Sequence, residues 1–261
     1  MRKKKSKFEK FFINNKKNIL NKWDHYFDIY ERHFSRYKGK DIVLLEVGVS
    51  NGGSLNMWLD YFGENIKIYG IDIDPRCLEF KKNNVEIFIG SQSDKHFLEQ
   101  IKNKIPKVDI LIDDGGHFMN QQIISFEELF DHVKNDGVYL CEDIHTSYWL
   151  YFGGGYKRRG TFLEYSKNFI DQLNAFHSEQ KQLKPNRFTH SVGSVHYYDS
   201  ILVIEKMERT APQNIVSGQL SFGNSKIANY KPNIKPIQKN KLLIFINKIL
   251  RHFRFKSILW K

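Results

Sequence analysis

Five short apolar runs punctuate the first half of the chain, each closing on glycine, serine or an acid: Ile42–Val47, Ile66–Ile73, Val85–Ile89, Val108–Ile112 and Val138–Cys141. Runs of four to eight residues rich in Val, Ile and Leu, without alternation, are the pattern of strands buried on both faces. Helical stretches separate them, among them an amphipathic one over 120–133. Pro75 suits a first helical turn, with Asp74 as its N-cap. The strand-then-helix order predicts an α/β fold with a doubly wound parallel sheet. Ahead of it, Leu20, Trp23, Phe27, Tyr30 and Phe34 recur at helical steps, predicting a helix over 20–36 that packs on the sheet domain. Behind it, residues 194–205 read as a hairpin-like pair of strands closing the sheet, with His196 structural inside it.

From residue 206 the pattern dissolves into Pro, Asn, Gln and Ser, including Tyr230-Lys231-Pro232-Asn233, the composition of a linker or extended arm. Periodicity returns at the end. Leu242, Phe245, Ile246, Ile249, Leu250 and Phe253 fall on one helical face, with Lys241, Lys248, Arg251 and Arg254 elsewhere. Such a basic amphipathic tail suits an anionic membrane surface or a partner, its own domain and a second copy of the chain included. The expected organisation is a helical segment over 1–40, a catalytic domain over 41–206 and a linker with its tail over 207–261.

The formal net charge of +12 invites a nucleic-acid reading. Its distribution argues against one. Residues 1–40 carry +9 and residues 221–261 carry +10 with no acid, leaving −7 for the middle, a poor groove for a phosphate backbone. The alternative keeps nucleic acid as the target, with the basic ends as arms. The two cysteines, Cys77 and Cys141, fit a reduced, cytoplasmic protein without a disulfide framework. No stretch approaches the length of a membrane span, so any membrane contact is expected to be peripheral, on the inner face.

The chemistry gathers at the strand ends. Glu46 precedes a glycine turn, Gly48-Val49-Ser50-Asn51-Gly52-Gly53, and the next strand ends at Asp72. The spacing departs from the GxGxxG of dinucleotide sites, and a carboxylate at the loop's start repels a pyrophosphate. It suits the cationic amino-acid end of S-adenosylmethionine, with Asp72 accepting the ribose hydroxyls and Ser91, Gln92 and Ser93 beside the adenine. Two acidic clusters follow: Asp113-Asp114-Gly115-Gly116-His117 after the fourth strand, and Glu142-Asp143 after the fifth. An isolated Asp-Asp pair reads as a loop cap. A second acidic pair at the next strand end, about 4.8 Å away, reads as a shared cation site. Asp114, Glu142 and Asp143 are the expected ligands, with Asp113 toward the cofactor. All-oxygen ligation favours Mg²⁺, with Mn²⁺ or Ca²⁺ admitted. His117, three residues after a ligand, is the expected base, histidine being the side chain that titrates near neutral pH.

Several motifs in one order carry a family resemblance: Leu45-Glu46-Val47-Gly48-Val49, Gly70-Ile71-Asp72-Ile73-Asp74, Gln92-Ser93-Asp94, Ile112-Asp113-Asp114-Gly115-Gly116-His117, Glu142-Asp143 with Thr146-Ser147-Tyr148-Trp149, and Phe152-Gly153-Gly154-Gly155-Tyr156. From about Leu45 to Lys206 the chain resembles the metal-dependent, S-adenosylmethionine-dependent sugar O-methyltransferases of macrolide and surface-polysaccharide pathways. It departs from them at Ser91, commonly aspartate, and at Gly116, commonly serine. The resemblance implies a class I methyltransferase fold, the same three metal ligands and His117 as base. It also implies a sugar or nucleotide-sugar acceptor, such as a capsule heptose, or alternatively a natural-product glycoside; the nucleic-acid alternative would be a methyltransferase using its basic ends as arms. His145, Tyr148 and Trp149 are expected to wall the acceptor pocket, with a core role equally open to Trp149. The loop through Tyr156, Lys157, Arg158 and Arg159 is expected to act as a lid over a phosphate-bearing acceptor. A homo-oligomer is compatible with all of this.

Overall fold

The structure, a computed structural model, describes residues 5–219, 241–253 and 255. Contacts divide the chain into two units, Met1–Pro212 and Gln213–Lys261. The first is built on a seven-stranded sheet of β1 (Ile42–Val47), β2 (Ile66–Asp72), β3 (Val85–Ile89), β4 (Val108–Asp113), β5 (Val133–Cys141), β6 (Val192–Tyr197) and β7 (Leu202–Lys206). Their order is β3-β2-β1-β4-β5-β7-β6. The first five are parallel, and β7 pairs antiparallel to both β5 and β6. The expected doubly wound sheet and its closing hairpin are both present, and this is the class I methyltransferase fold.

Alternation along the strands builds a core on each face. Leu44, Ile110 and Ile112 point to one and Leu45 and Leu111 to the other. The first face is covered by α1 (Lys7–Asn14), α2 (Tyr26–Phe34) and α3 (Gly53–Phe62). Aromatic rings fill it: Phe8 stacks on Tyr61 at 3.7 Å and meets Tyr30 and Trp58 edge-on at 5.5 and 5.7 Å. The opposite face is covered by α4 (Lys95–Lys104) and α5 (Met119–Leu129), with the short helices α6 (Phe162–Ser166), α7 (Asn168–Leu173) and α8 (Arg187–Ser191) beside them.

Three boundaries differ from the sequence expectation. The helix expected over 20–36 is only α2, because residues 15–25 run irregularly. Asn15 there spends its side chain on local bonds to Asn18 O and Lys17 N, turns that compete with a helix. Helix α1 falls inside the helical segment expected over 1–40 but ahead of the one helix placed there, and Ser6 and Glu9 form a capping box at its start. Strand β5 begins at Val133, ahead of the expected Val138, across a register shift with β4 between Val108 and Ile110.

Of the second unit, residues 213–219 carry no helix or strand, and α9 (Lys241–His252) forms the expected tail helix. The arm through Tyr230-Lys231-Pro232-Asn233, and Arg254, lie outside the described residues. Among the described residues no helix is long and apolar enough to cross a membrane.

Candidate active site

The sheet changes direction of winding between β1 and β4, the point where open α/β sheets hold ligands beyond their carboxyl ends. Val47 pairs with Ile71 and Asp113, and Asp113 pairs with Cys141, so three strands end level. The ladder then runs one residue further. Gly48 N donates to Ile71 O (2.8 Å), Asp114 N to Val47 O (2.9 Å) and Glu142 N to Asp113 O (2.9 Å). Backbone bonding thus fixes Gly48, Asp114 and Glu142 side by side.

On one side of this edge lies a cleft of about 250 Å³ lined by Gly48, Ser50, Asp72, Ser91, Gln92 and Gly115, among others. Asp72 organises it: Oδ2 accepts from Val49 N and Ser50 N, each at 2.8 Å, and Oδ1 from Asp74 N at 2.8 Å. Gly48 has φ +92°, and a Cβ there would stand 2.0 Å from Asp114 O. Only glycine lets the two loops meet. Gln92 ties the third loop to the fourth, donating to Asp113 Oδ1 (3.1 Å) and Ser125 Oγ (2.9 Å) while accepting from Gly116 N (2.7 Å).

Four expected cofactor residues stand apart from this cleft. Glu46 is fully buried, because alternation on β1 turns it toward α3, where Ser54 Oγ (2.9 Å) and Trp58 Nε1 (3.0 Å) donate to it. Burial pushes its carboxyl up to about 7. Asp113 is buried beneath the loop on Gln92, and burial likewise lifts it to about 7. Gly52 caps α3 with left-handed backbone, and Ser93 turns back so that its N–H donates to Ser91 Oγ (3.1 Å).

On the other side the acids converge. His117 Nε2 lies 3.5 Å from Asp143 Oδ2 and 4.0 Å from Asp114 Oδ1. One ligand atom from each of Asp114, His117 and Asp143 falls within 4.8 Å of the others. Glu142 stands next to them. Burial, then the charge of Asp114, pushes its carboxyl up to about 8, and burial also raises Asp114. His117 (φ 58°) and Asp143 (φ 54°) both adopt left-handed backbone, a costly conformation that gathers at functional sites. Among the described residues the buried Nδ1 of His117 has no hydrogen-bond partner.

His145 reaches the rim, 3.9 Å from Asp143 and hydrogen-bonded to Ser200, with Trp149 edge-on at 4.6 Å. Trp149 is half exposed and so no core residue. Tyr148, Tyr156, Lys157 and Arg158 are exposed and line neither this region nor the cleft; Arg158 donates back to Gly154 O (3.3 Å). His196 lies on the far edge strand, its ring 4.8 Å from that of His33.

No family model matches the chain. Among curated proteins, mycinamicin VI 2''-O-methyltransferase of Micromonospora griseorubida is 34% identical over 191 residues, 68% of this chain and 47% of its own length. The 2'-O-methyltransferase acting on 8-demethyl-8-alpha-L-rhamnosyl tetracenomycin-C in Streptomyces olivaceus is 31% identical over 186 residues, 68% of this chain and 49% of its own. Among solved structures, the mycinamycin-pathway methyltransferase MycE, in complex with Mg, SAH and mycinamycin VI, superposes with a TM-score of 0.69 at 30% identity, covering 78% of this chain and 53% of MycE. The chain belongs to the metal- and S-adenosylmethionine-dependent sugar O-methyltransferase family. It spans about half the length of the curated relatives it matches.

In this family member three site residues escaped sequence reasoning, all supplied by the segment before the sheet. Lys22 Nζ lies 2.8 Å from Glu142 Oε2 and also bonds Asp114 Oδ2; its side chain is 2% exposed. Tyr30 OH donates to Glu142 Oε1 (2.6 Å) and Tyr26 OH to Asp143 Oδ1 (2.5 Å). The only signal was the i, i+4 pairing of two tyrosines on α2, which reads equally as core. Lys22 carried no signal, since its partners lie 92 and 120 residues away.

Proposed function

We propose that the chain transfers the methyl group of S-adenosylmethionine to a sugar hydroxyl with the help of a divalent cation. The observation that carries this reading is the convergence of Asp114, Asp143 and His117, with Glu142 adjoining, at strand ends that also border the glycine-loop cleft. The donors fit the cation: carboxylate oxygens dominate, and burial lifts Asp114 and Glu142 in a way that opposite charge would relieve. Held by Asp114, Glu142 and Asp143, Mg²⁺ or Mn²⁺ would lower the pKa of an acceptor hydroxyl and orient it.

The chain's own groups do the rest. The amides clamped by Asp72 shape the cofactor loop, and Ser50, Asp72, Ser91 and Gln92 hold the cofactor along it. As the acceptor oxygen forms its bond to the methyl carbon and the carbon–sulfur bond breaks, His117 Nε2 takes the hydroxyl proton. The buried rings of Tyr26 and Tyr30, bonded to Asp143 and Glu142, keep the carboxylates in register. His145 and Trp149, their rings edge-on to each other, offer aromatic surface to a sugar ring.

The acceptor is a glycosidic sugar, as the named relatives' acceptors are; none of the relatives named above acts on a capsule heptose. Mass spectrometry of glycosides and nucleotide sugars incubated with S-adenosylmethionine should show gain of one methyl with Mg²⁺ and none in chelator. Equal methylation in chelator would overturn the cation's part, and no methylation of any sugar would overturn the acceptor class.

The tail helix suits an anionic membrane surface. Phe245 and Ile249 share one face of α9 and Phe253 follows its end; they are 59%, 42% and 63% exposed, in a stretch, 221–261, of ten Lys/Arg and no acid. The full chain should co-sediment with phosphatidylglycerol vesicles and not with phosphatidylcholine, and Phe245→Asp should cut binding about tenfold. Equal binding of the variant would refute the membrane role.

A further inference from the structure

The acid pocket already contains a cation, and it belongs to the protein. Lys22 bridges Asp114 and Glu142 from a stretch between α1 and α2 that is neither helix nor strand. That stretch lies over the site: Ile19, Leu20, Asn21 and Lys22 wall a second cleft of about 270 Å³ together with Ser50, Asp114 and His117. Apart from Lys22 it is held by a few contacts: Leu20 packs against the core, Trp23 meets the His145 ring edge-on at 5.8 Å, and His25 Nε2 lies 3.0 Å from Asp199 O. Ile19 and Trp23 are 71% and 53% exposed, and a side-chain bond from Asn56 Nδ2 to Asn18 Oδ1 (3.1 Å) tethers it. Against α3 it rests on bare backbone, since a Cβ at Gly53 would stand 2.2 Å from Ile19 O. Segments with few buried apolar contacts open at low cost.

An ammonium and a divalent ion cannot comfortably share these oxygens. Both seek the same carboxylates, and two cations a few ångströms apart in a buried site repel strongly. Without any cation the buried acids repel each other instead, so one or the other must be present. We propose that Lys22 is a built-in counter-cation that occupies the acid pocket until a divalent ion displaces it, and that residues 15–25 form a strap which lifts from the second cleft when metal loads. The inference rests on the metal reading of the proposed function and adds to it an order of events: metal entry opens the region where an acceptor would approach.

The test uses the full chain with Mn²⁺ alone as probe. Lysine acylation followed by peptide mass spectrometry compares Lys22 with Lys17, which is exposed and serves as internal control. In metal-free protein Lys22 should react at least about tenfold more slowly than Lys17; with saturating Mn²⁺ the difference should disappear. In parallel, Lys22→Met should bind Mn²⁺ about tenfold or more tightly than the unaltered chain, measured by electron paramagnetic resonance of free Mn²⁺. If Mn²⁺ binds while Lys22 stays protected, the strap is refuted and the metal site stands. If Mn²⁺ binds neither protein, both ideas fall. The labelling arm needs no variant, so it decides even if Lys22→Met misfolds.

Discussion

Asp114→Asn and Glu142→Gln are each expected to lower methyl transfer by about 10³-fold or more, while the dissociation constant for S-adenosylmethionine changes less than about threefold. The separation follows from geometry. Glu142 lines neither cleft and Asp114 borders both, whereas Asp72, Ser91 and Gln92 line the glycine-loop cleft alone. Asparagine keeps the Asp114 backbone, whose carbonyl fixes the approach of Gly48, so the cofactor loop is undisturbed. Glutamine mimics the protonated state toward which burial already drives Glu142, pushed up to about 8. A buried acid raised in this way costs stability once the pH exceeds its unfolded pKa, and a neutral replacement removes that cost. The variant should therefore fold, with Asp114 left to pair Lys22. Calorimetric titration of the cofactor and initial rates with Mg²⁺ check the two halves. Loss of cofactor binding in step with activity would show that the acids serve the cofactor and no metal.

How far the sequence discloses this site depends on the range of the interactions involved. The parallel strands were legible because two-sided burial leaves unbroken apolar runs, and the acids at the ends of β4 and β5 stood out against them. Placement of Asp113 and Glu46 was harder to read. Which face a strand residue takes follows from alternation, yet whether that face is crevice or core depends on the helix above it. For Glu46 that helix supplies Ser54 and Trp58, and for Asp113 the bracing groups are Gln92 and Ser125. Lys22 illustrates the limit most clearly. Apolar spacing across Leu20, Trp23 and Phe27 mimics a helix, but the chain gives up helical bonds at 15–25. That course puts an ammonium on two carboxylates, an interaction no local pattern encodes.

His117→Asn is expected to reduce kcat by about 10² to 10⁴-fold with Mn²⁺ and cofactor affinities unchanged. Asparagine is the replacement of choice because residue 117 has φ 58°, a left-handed conformation that asparagine tolerates better than alanine does. The loop then keeps its course and the effect reports the ring alone. The ring's position allows two roles, since Nε2 lies near both Asp143 and Asp114 and could itself bind a metal. Affinity separates them. A ligand's removal weakens Mn²⁺ binding, whereas a base's removal leaves binding intact and slows only proton transfer. A tenfold or greater loss of Mn²⁺ affinity would move His117 from base to ligand, and the search for the proton acceptor would turn to His145, 3.9 Å from Asp143 on the opposite rim.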